Sequence, residues 1–290
     1  ECLHRVLLPD AVLAIVHVEA RVVVALANAQ LAVFRRQTDG QWDLNSYHLV
    51  TLGDRNHSIR CLCVAGERIW AAHRNKIFIV DPVSLNIVHS LDAHPRKESQ
   101  VRQMAATGAG VWVSIRLDST LRLYNTHTFE HKQDVDIEPY VSKMLGTGKL
   151  GFSFVRITAL MVSCNRLWIG TSNGVIISVP LAEVQPKSSS DPHGQMPLCC
   201  MANAQLSFHG HRDAVKFFVS VPMLQQPNLN GGLTFTNKRP DMLVMCGGEG
   251  YIDFRINDND MENSIQLEPN QTIENRGDKS YLIVWHVSQR

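Results

Sequence analysis

The segment 110–125, GVWVSIRLDSTLRLYN, constrains the fold more tightly than any other stretch of the chain. Val111, Trp112, Val113 and Ile115 crowd one short β-prone run, and Leu121, Leu123 and Tyr124 supply a second. Arg116 and Asp118-Ser119-Thr120 make the turn between them. A lone two-stranded hairpin cannot bury its own face in water, so this one requires neighbours. The sequence repeats the unit. RIWAA (68–72) leads into KIFIV (76–80), RLWIG (166–170) into GVIIS (174–178), and RVVVA (21–25) into QLAVF (30–34). DMLVM (241–245) leads through a Gly-rich turn into YIDFR (251–255).

Trp70 and Trp112 are 42 residues apart, and Trp168 follows 56 residues later with an insertion between. Apolar runs precede each hairpin at 12–18, 59–64, 101–105, 157–162 and 215–221. A further strand follows at 47–52, 87–91 and 129–135. Four strands per period of roughly 40–45 residues is the pattern of a β-propeller of WD40 type. The expected architecture is therefore all-β, with about five four-stranded blades that form part of a seven-bladed whole. Gly210-His211 leads into the fifth run as a Gly-His pair opens a WD40 blade, and His57 and His94 hold the same place elsewhere. A blade histidine of this kind is read as an internal hydrogen-bonding residue rather than a ligand or catalyst. Residues 2–8 are strand-like and are expected to be the outer strand of a blade whose other strands lie upstream, making 1–290 a slice of a longer protein.

The chain of 290 residues has a formal net charge of +1, which argues against a general nucleic-acid binder. No run reaches the ~18 apolar residues of a membrane span, and no secretory leader opens the chain. The seven cysteines are odd in number and form no CxxC pair. Most lie in apolar strands, so free buried thiols of a reducing compartment are expected.

Blade topology sorts the connections onto two faces. The segments 92–100 and 138–154 emerge on one, with the turns between second and third strands. The excursions 182–200, 222–240 and 257–279 emerge on the other and read as flexible insertions, rich in Asn, Gln, Ser, Pro and Gly. The first face carries Arg55, Arg74, Lys76, Arg96, Lys97, Arg116, Lys143, Lys149 and Arg212 against fewer acids, while residues 257–279 carry acidic side chains. This separation predicts a face for an acidic or phosphorylated partner. Its candidate contacts are Arg74, Arg96, Lys97, Arg116, Asp118, Tyr140, Lys143, Lys149 and Arg212.

Other chemistries find no support. Gly146-Thr147-Gly148-Lys149 lacks the leading glycine and the Ser or Thr after lysine that a phosphate loop requires. Asn257-Asp258-Asn259-Asp260 lacks the turn glycine of a calcium loop, Glu262 standing in its place. His209 and His211 share a strand face without a completing ligand pattern. No nucleophile elbow is present, and the first strands are too apolar to converge on a channel active site. No catalytic residue, metal or cofactor is expected.

Several runs together resemble one family. They are QWDL (41–44), AHPRKESQVRQ (93–103), VWVSIRLDSTLRLY (111–124), the stretch 134–160 and FHGHRDAVKFF (208–218). They resemble the C-terminal WD40-like domain of the long coiled-coil JNK-interacting scaffold proteins, the Sunday driver type. The resemblance spans nearly the whole chain apart from the three excursions. It implies a non-enzymatic scaffold and cargo adaptor whose partners are JNK-cascade kinases, kinesin light chain, dynein–dynactin and small GTPases. The family meets these mostly through coiled coils absent from this chain. It also implies a cytoplasmic, vesicle-associated protein of microtubule-based transport, perinuclear or axonal, without direct membrane insertion. A regulatory C-terminal propeller of a Rho guanine-nucleotide exchange factor is the alternative, distinguished by a helical exchange domain upstream in place of coiled coils.

Overall fold

A computed structural model describes residues 2, 4–146, 154–183, 196–223, 240–255 and 279–288. The chain divides into two units, one comprising Glu1–Asp136 with Ala182–Leu198, the other Ile137–Leu181 with Cys199–Arg290.

The first unit contains three four-stranded antiparallel sheets in simple sequential order. The first runs through Val12–Val18, Arg21–Leu26, Gln30–Arg36 and Trp42–Thr51, the second through Ile59–Ala65, Arg68–His73, Lys76–Val80 and Ile87–Asp92. The third runs through Val101–Thr107, Gly110–Ile115, Thr120–Asn125 and His131–Asp136. Each predicted hairpin is thus the middle pair of its sheet. In the third, Gly110 faces Asn125, Trp112 faces Leu123 and Ser114 faces Leu121. Every residue of Gly110–Ile115 is buried. A strand covered on both faces reads as an unbroken apolar run instead of an alternating one, which explains why these strands stand out in the sequence.

The sheets pack face to face. Val23, Leu31 and Val33 of the first meet Ile59, Ile69 and Val80 of the second. Trp70, Ile77 and Ile79 of the second meet Val111, Val113 and Tyr124 of the third. Residues 4–8, expected to be the outer strand of a blade begun upstream, pair with no strand among the described residues, and Val6 and Leu8 lay side chains against Val24, Leu26, Ala32 and Phe34.

In the second unit, Glu138–Leu145 is a helix where a loop insertion was expected. Pro139 presets the first turn, Glu138 and Lys143 sit at the favourable ends of the dipole, and Gly146 closes the helix at φ 73°. A further sheet is built from Ile157–Ser163, Arg166–Thr171 and Ile176–Glu183, with Gln205–Leu206 pairing onto Ile177 and Ser178. Another is built from Val215–Pro222, Met242–Glu249 and Ser280–Val287. Here the expected hairpin is corrected. Met242–Glu249 pairs along its whole length with Ser280–Val287, while Ile252–Asp253 pairs with His209–Gly210. Eight consecutive residues of extended, apolar-rich chain offer a complete ladder that the short 251–255 run cannot match.

Of the three expected excursions, Ala182–Glu183 end one strand and Pro197–Cys199 form another. Residues 184–195, 224–239 and 256–278 lie outside the described residues. Cys61, Cys63, Cys199 and Cys246 are buried, and burial pushes the pKa of each thiol up to about 12.

Candidate interaction surface

In the first unit, each connection entering a sheet is hydrogen-bonded to a turn between middle strands. Val101 N–H donates to the Arg74 carbonyl at 2.9 Å, Arg116 N–H to Gln100 at 2.7 Å and Ala93 N–H to Asn75 at 2.8 Å. Asn75 Nδ2 donates to the His94 carbonyl at 2.7 Å. These bonds, with His73 Nε2 3.1 Å from the Asp54 carbonyl, bring the connections 53–58 and 93–100 and the turns 73–75 and 116–119 together as one rim. Arg74, Arg96, Lys97 and Arg116 are all exposed on it. Arg74 sits in a left-handed turn at φ 54° and approaches His57 Nε2 at 3.4 Å, and Arg116 reaches Gln100 Oε1 at 3.3 Å. None of the four forms an ion pair among the described residues.

Asp118 behaves differently. Its carboxylate accepts the Thr120 N–H at 2.9 Å, pairs with Arg122 at 3.2 Å and faces His94 at 3.6 Å, and its side chain is only 14% exposed. Burial alone would raise its pKa, yet the Thr120 amide and the Arg122 guanidinium hold it below the usual carboxylate range. Burial, with Arg122 and Arg96 nearby, holds His94 below the ordinary imidazole value. Asp118 therefore shapes the turn that presents Arg116, and its charge is answered inside the unit.

In the second unit, Tyr140 and Lys143 lie on the helix, Tyr140 half-buried and Lys143 exposed. Arg212 is exposed, its backbone N–H donating to the Glu249 carbonyl at 3.1 Å. Lys149 lies outside the described residues. The predicted blade histidines are engaged internally. His211 is buried between the Gly250 carbonyl, 3.2 Å from Nδ1, and the Cys246 thiol, 3.1 Å from Nε2. A carbonyl can only accept, so Nδ1 carries the proton and Nε2 accepts from the thiol. His209 instead contacts the Tyr251 hydroxyl at 2.7 Å.

In all five of the longer sheets the first strand carries a bulge at its second residue, Leu13, Arg60, Arg102, Thr158 or Lys216. A bulged residue leaves the ladder and its side chain is re-aimed. The sequence signal was a cation one residue inside an apolar run, as in Ile59-Arg60-Cys61 and Val101-Arg102-Gln103.

A profile described as "WD40 repeated domain" matches residues 2–242. The chain is 99% identical over 290 residues to a JNK-interacting protein 3 of Drosophila pseudoobscura pseudoobscura, covering all of this chain and 24% of that protein. It is 53% identical over 329 residues to a C-Jun-amino-terminal kinase-interacting protein 4 of Mus musculus, covering 99% of this chain and 25% of the relative. Rho guanine nucleotide exchange factor 17 of Mus musculus is 27% identical over 306 residues, covering 96% of this chain and 14% of that protein. The chain thus spans about a quarter of the length of the JNK-interacting relatives it matches.

Proposed function

Because the chain belongs to the WD40 repeated domain family, we propose that it is a non-enzymatic protein-docking module of a JNK-pathway scaffold. The observation that carries this reading is the rim of the first unit. There Arg74, Arg96, Lys97 and Arg116 stand exposed without carboxylate partners among the described residues, while Asp118 is engaged by Arg122. Unpaired cations on a rigid β-scaffold suit an acidic or phosphorylated protein segment, since guanidinium forks match carboxylate and phosphate oxygens. The names of the JNK-interacting relatives support the scaffold role.

Within such a scaffold the resemblance extends the reading to JNK-cascade kinases, kinesin light chain, dynein–dynactin and small GTPases as partners of the whole protein. It also extends it to kinesin and dynein cargo adaptation in vesicle and axonal transport, in the cytoplasm. The exchange-factor reading rests on the 27% identical relative, against 53% for the murine scaffold protein.

Proximity labelling with the full chain and with a variant carrying Arg74→Glu, Arg96→Glu, Lys97→Glu and Arg116→Glu tests the rim. Loss of most labelled proteins from the variant is expected. An unchanged set would overturn the rim as the docking face, and Lys143→Glu tested alone reports on the second unit's helix.

A further inference from the structure

We infer that the first unit holds a phosphate-binding cleft built by the bulge residues Arg60 and Arg102, which take a phosphomonoester between two guanidinium groups. This goes beyond the rim reading, because it involves neither the rim residues nor the connections that carry them.

The five first-strand bulges have different chemical outcomes. Leu13 is apolar. Thr158 uses its hydroxyl to donate to the Val215 carbonyl at 2.7 Å, tying one inner strand to the next. Lys216 pairs with Glu249 at 3.2 Å. Arg60 and Arg102 occupy the same register position on neighbouring sheets, are both exposed, and pair with no carboxylate among the described residues. Two like charges held on adjacent strands repel each other and leave a local positive potential. Retaining both without a counter-charge is intelligible if an anion supplies it.

The space for that anion is present. Arg60 and Arg102 line one cleft of about 420 Å3, with Leu13, Cys61 and Gln103 among its other walls. All of these belong to the first strands of three successive sheets in one unit, so the walls are ladder-bonded backbone rather than loops. Cys61 adds no negative charge, its buried thiol being pushed up to about 12. A bulge also fixes the Cα–Cβ direction of each arginine more firmly than a loop does, since the unpaired residue is flanked on both sides by ladder bonds. Two planar forks lining one cleft match the three acceptor oxygens of a phosphomonoester, where a carboxylate offers only two.

The phosphate could be part of a phosphorylated side chain or of a small soluble polyphosphate, and the test separates them. Isothermal titration of the full chain uses an acetylated, amidated Ala-phosphoserine-Ala peptide, its Ala-Glu-Ala counterpart, and inositol hexakisphosphate. Binding of the phosphopeptide or of inositol hexakisphosphate, with the Glu peptide at least tenfold weaker, is expected. Whichever phosphate probe binds identifies the source. In Arg60→Gln/Arg102→Gln the phosphate affinity should drop roughly tenfold or more. In Arg35→Gln, which removes an exposed cation outside both the cleft and the rim, it should hold within about twofold. Should the double variant fold poorly, Arg60→Lys and Arg102→Lys keep the charge but remove the fork, and each should weaken phosphate binding. Absence of binding by both phosphate probes overturns the site. So does equal binding of the Glu peptide, affinity unchanged in the Arg60/Arg102 variants, or an equal loss in Arg35→Gln.

Discussion

Replacing Trp112 by alanine and by phenylalanine separates two contributions of one side chain. Trp112 is fully buried in the middle strand of the third sheet, and its indole N–H finds no hydrogen-bond partner among the described residues. Burying a tryptophan removes about 150–250 Å2 from water. At about 25 cal/mol per Å2 that is worth roughly 4–6 kcal/mol. The unpaired N–H opposes this by about 1–3 kcal/mol of uncompensated desolvation. Trp112→Ala deletes both and leaves a cavity, so a net loss of about 3–5 kcal/mol is expected. Trp112→Phe keeps most of the ring and removes the orphaned donor, so its cost should stay below about 1.5 kcal/mol. Trp168 provides the control, because its indole N–H donates to the Ser163 carbonyl at 3.3 Å. Trp168→Phe strands that carbonyl and should cost about 1 kcal/mol more than Trp112→Phe. Urea unfolding monitored by circular dichroism, with a common slope for all variants, measures each difference. A loss under about 1 kcal/mol for Trp112→Ala would refute the buried placement. Equal costs for the two Phe variants would refute the assignment of an orphaned donor.

Acid should weaken the fold in a defined window. Burial holds His94 and His211 below the ordinary value of 6.5, so the unfolded chain takes up those protons first. Their contribution is complete above 6.5 and is lost as pH falls from there toward the folded values. Urea midpoints should decline between pH 7.5 and 5.5, and His211→Gln should flatten the decline; a midpoint that rises on acidification contradicts the sign. Gly174→Ala should destabilise by roughly 2 kcal/mol or more. Gly174 adopts φ +75°, and an added Cβ would lie 1.7 Å from the His211 carbonyl oxygen. Thermal melting checks it, and an unchanged Tm would mean that this turn can relax.

Much of this protein is written in local sequence. The hairpins centred on Trp70, Trp112 and Trp168 were legible because a middle strand covered on both faces needs apolar residues at successive positions, and the turns need polar ones. The spacing of these hairpins then implied blades, and the family assignment followed the same runs. The cations of the rim were legible too, since a connection between ladders must lie at a sheet end. What tertiary structure decided is everything that depends on pairing between distant segments. Met242–Glu249 had two candidate partners, and only the complete eight-residue ladder with Ser280–Val287 selected one of them over the nearby 251–255 run. Asp118 looked like a surface contact until the fold set it against Arg122 and His94. Arg60 and Arg102 acquire their meaning from a register shift, and register is a property of two strands together. A residue's own sequence neighbours set whether it lies in a strand, but its partner strand sets which way its side chain points.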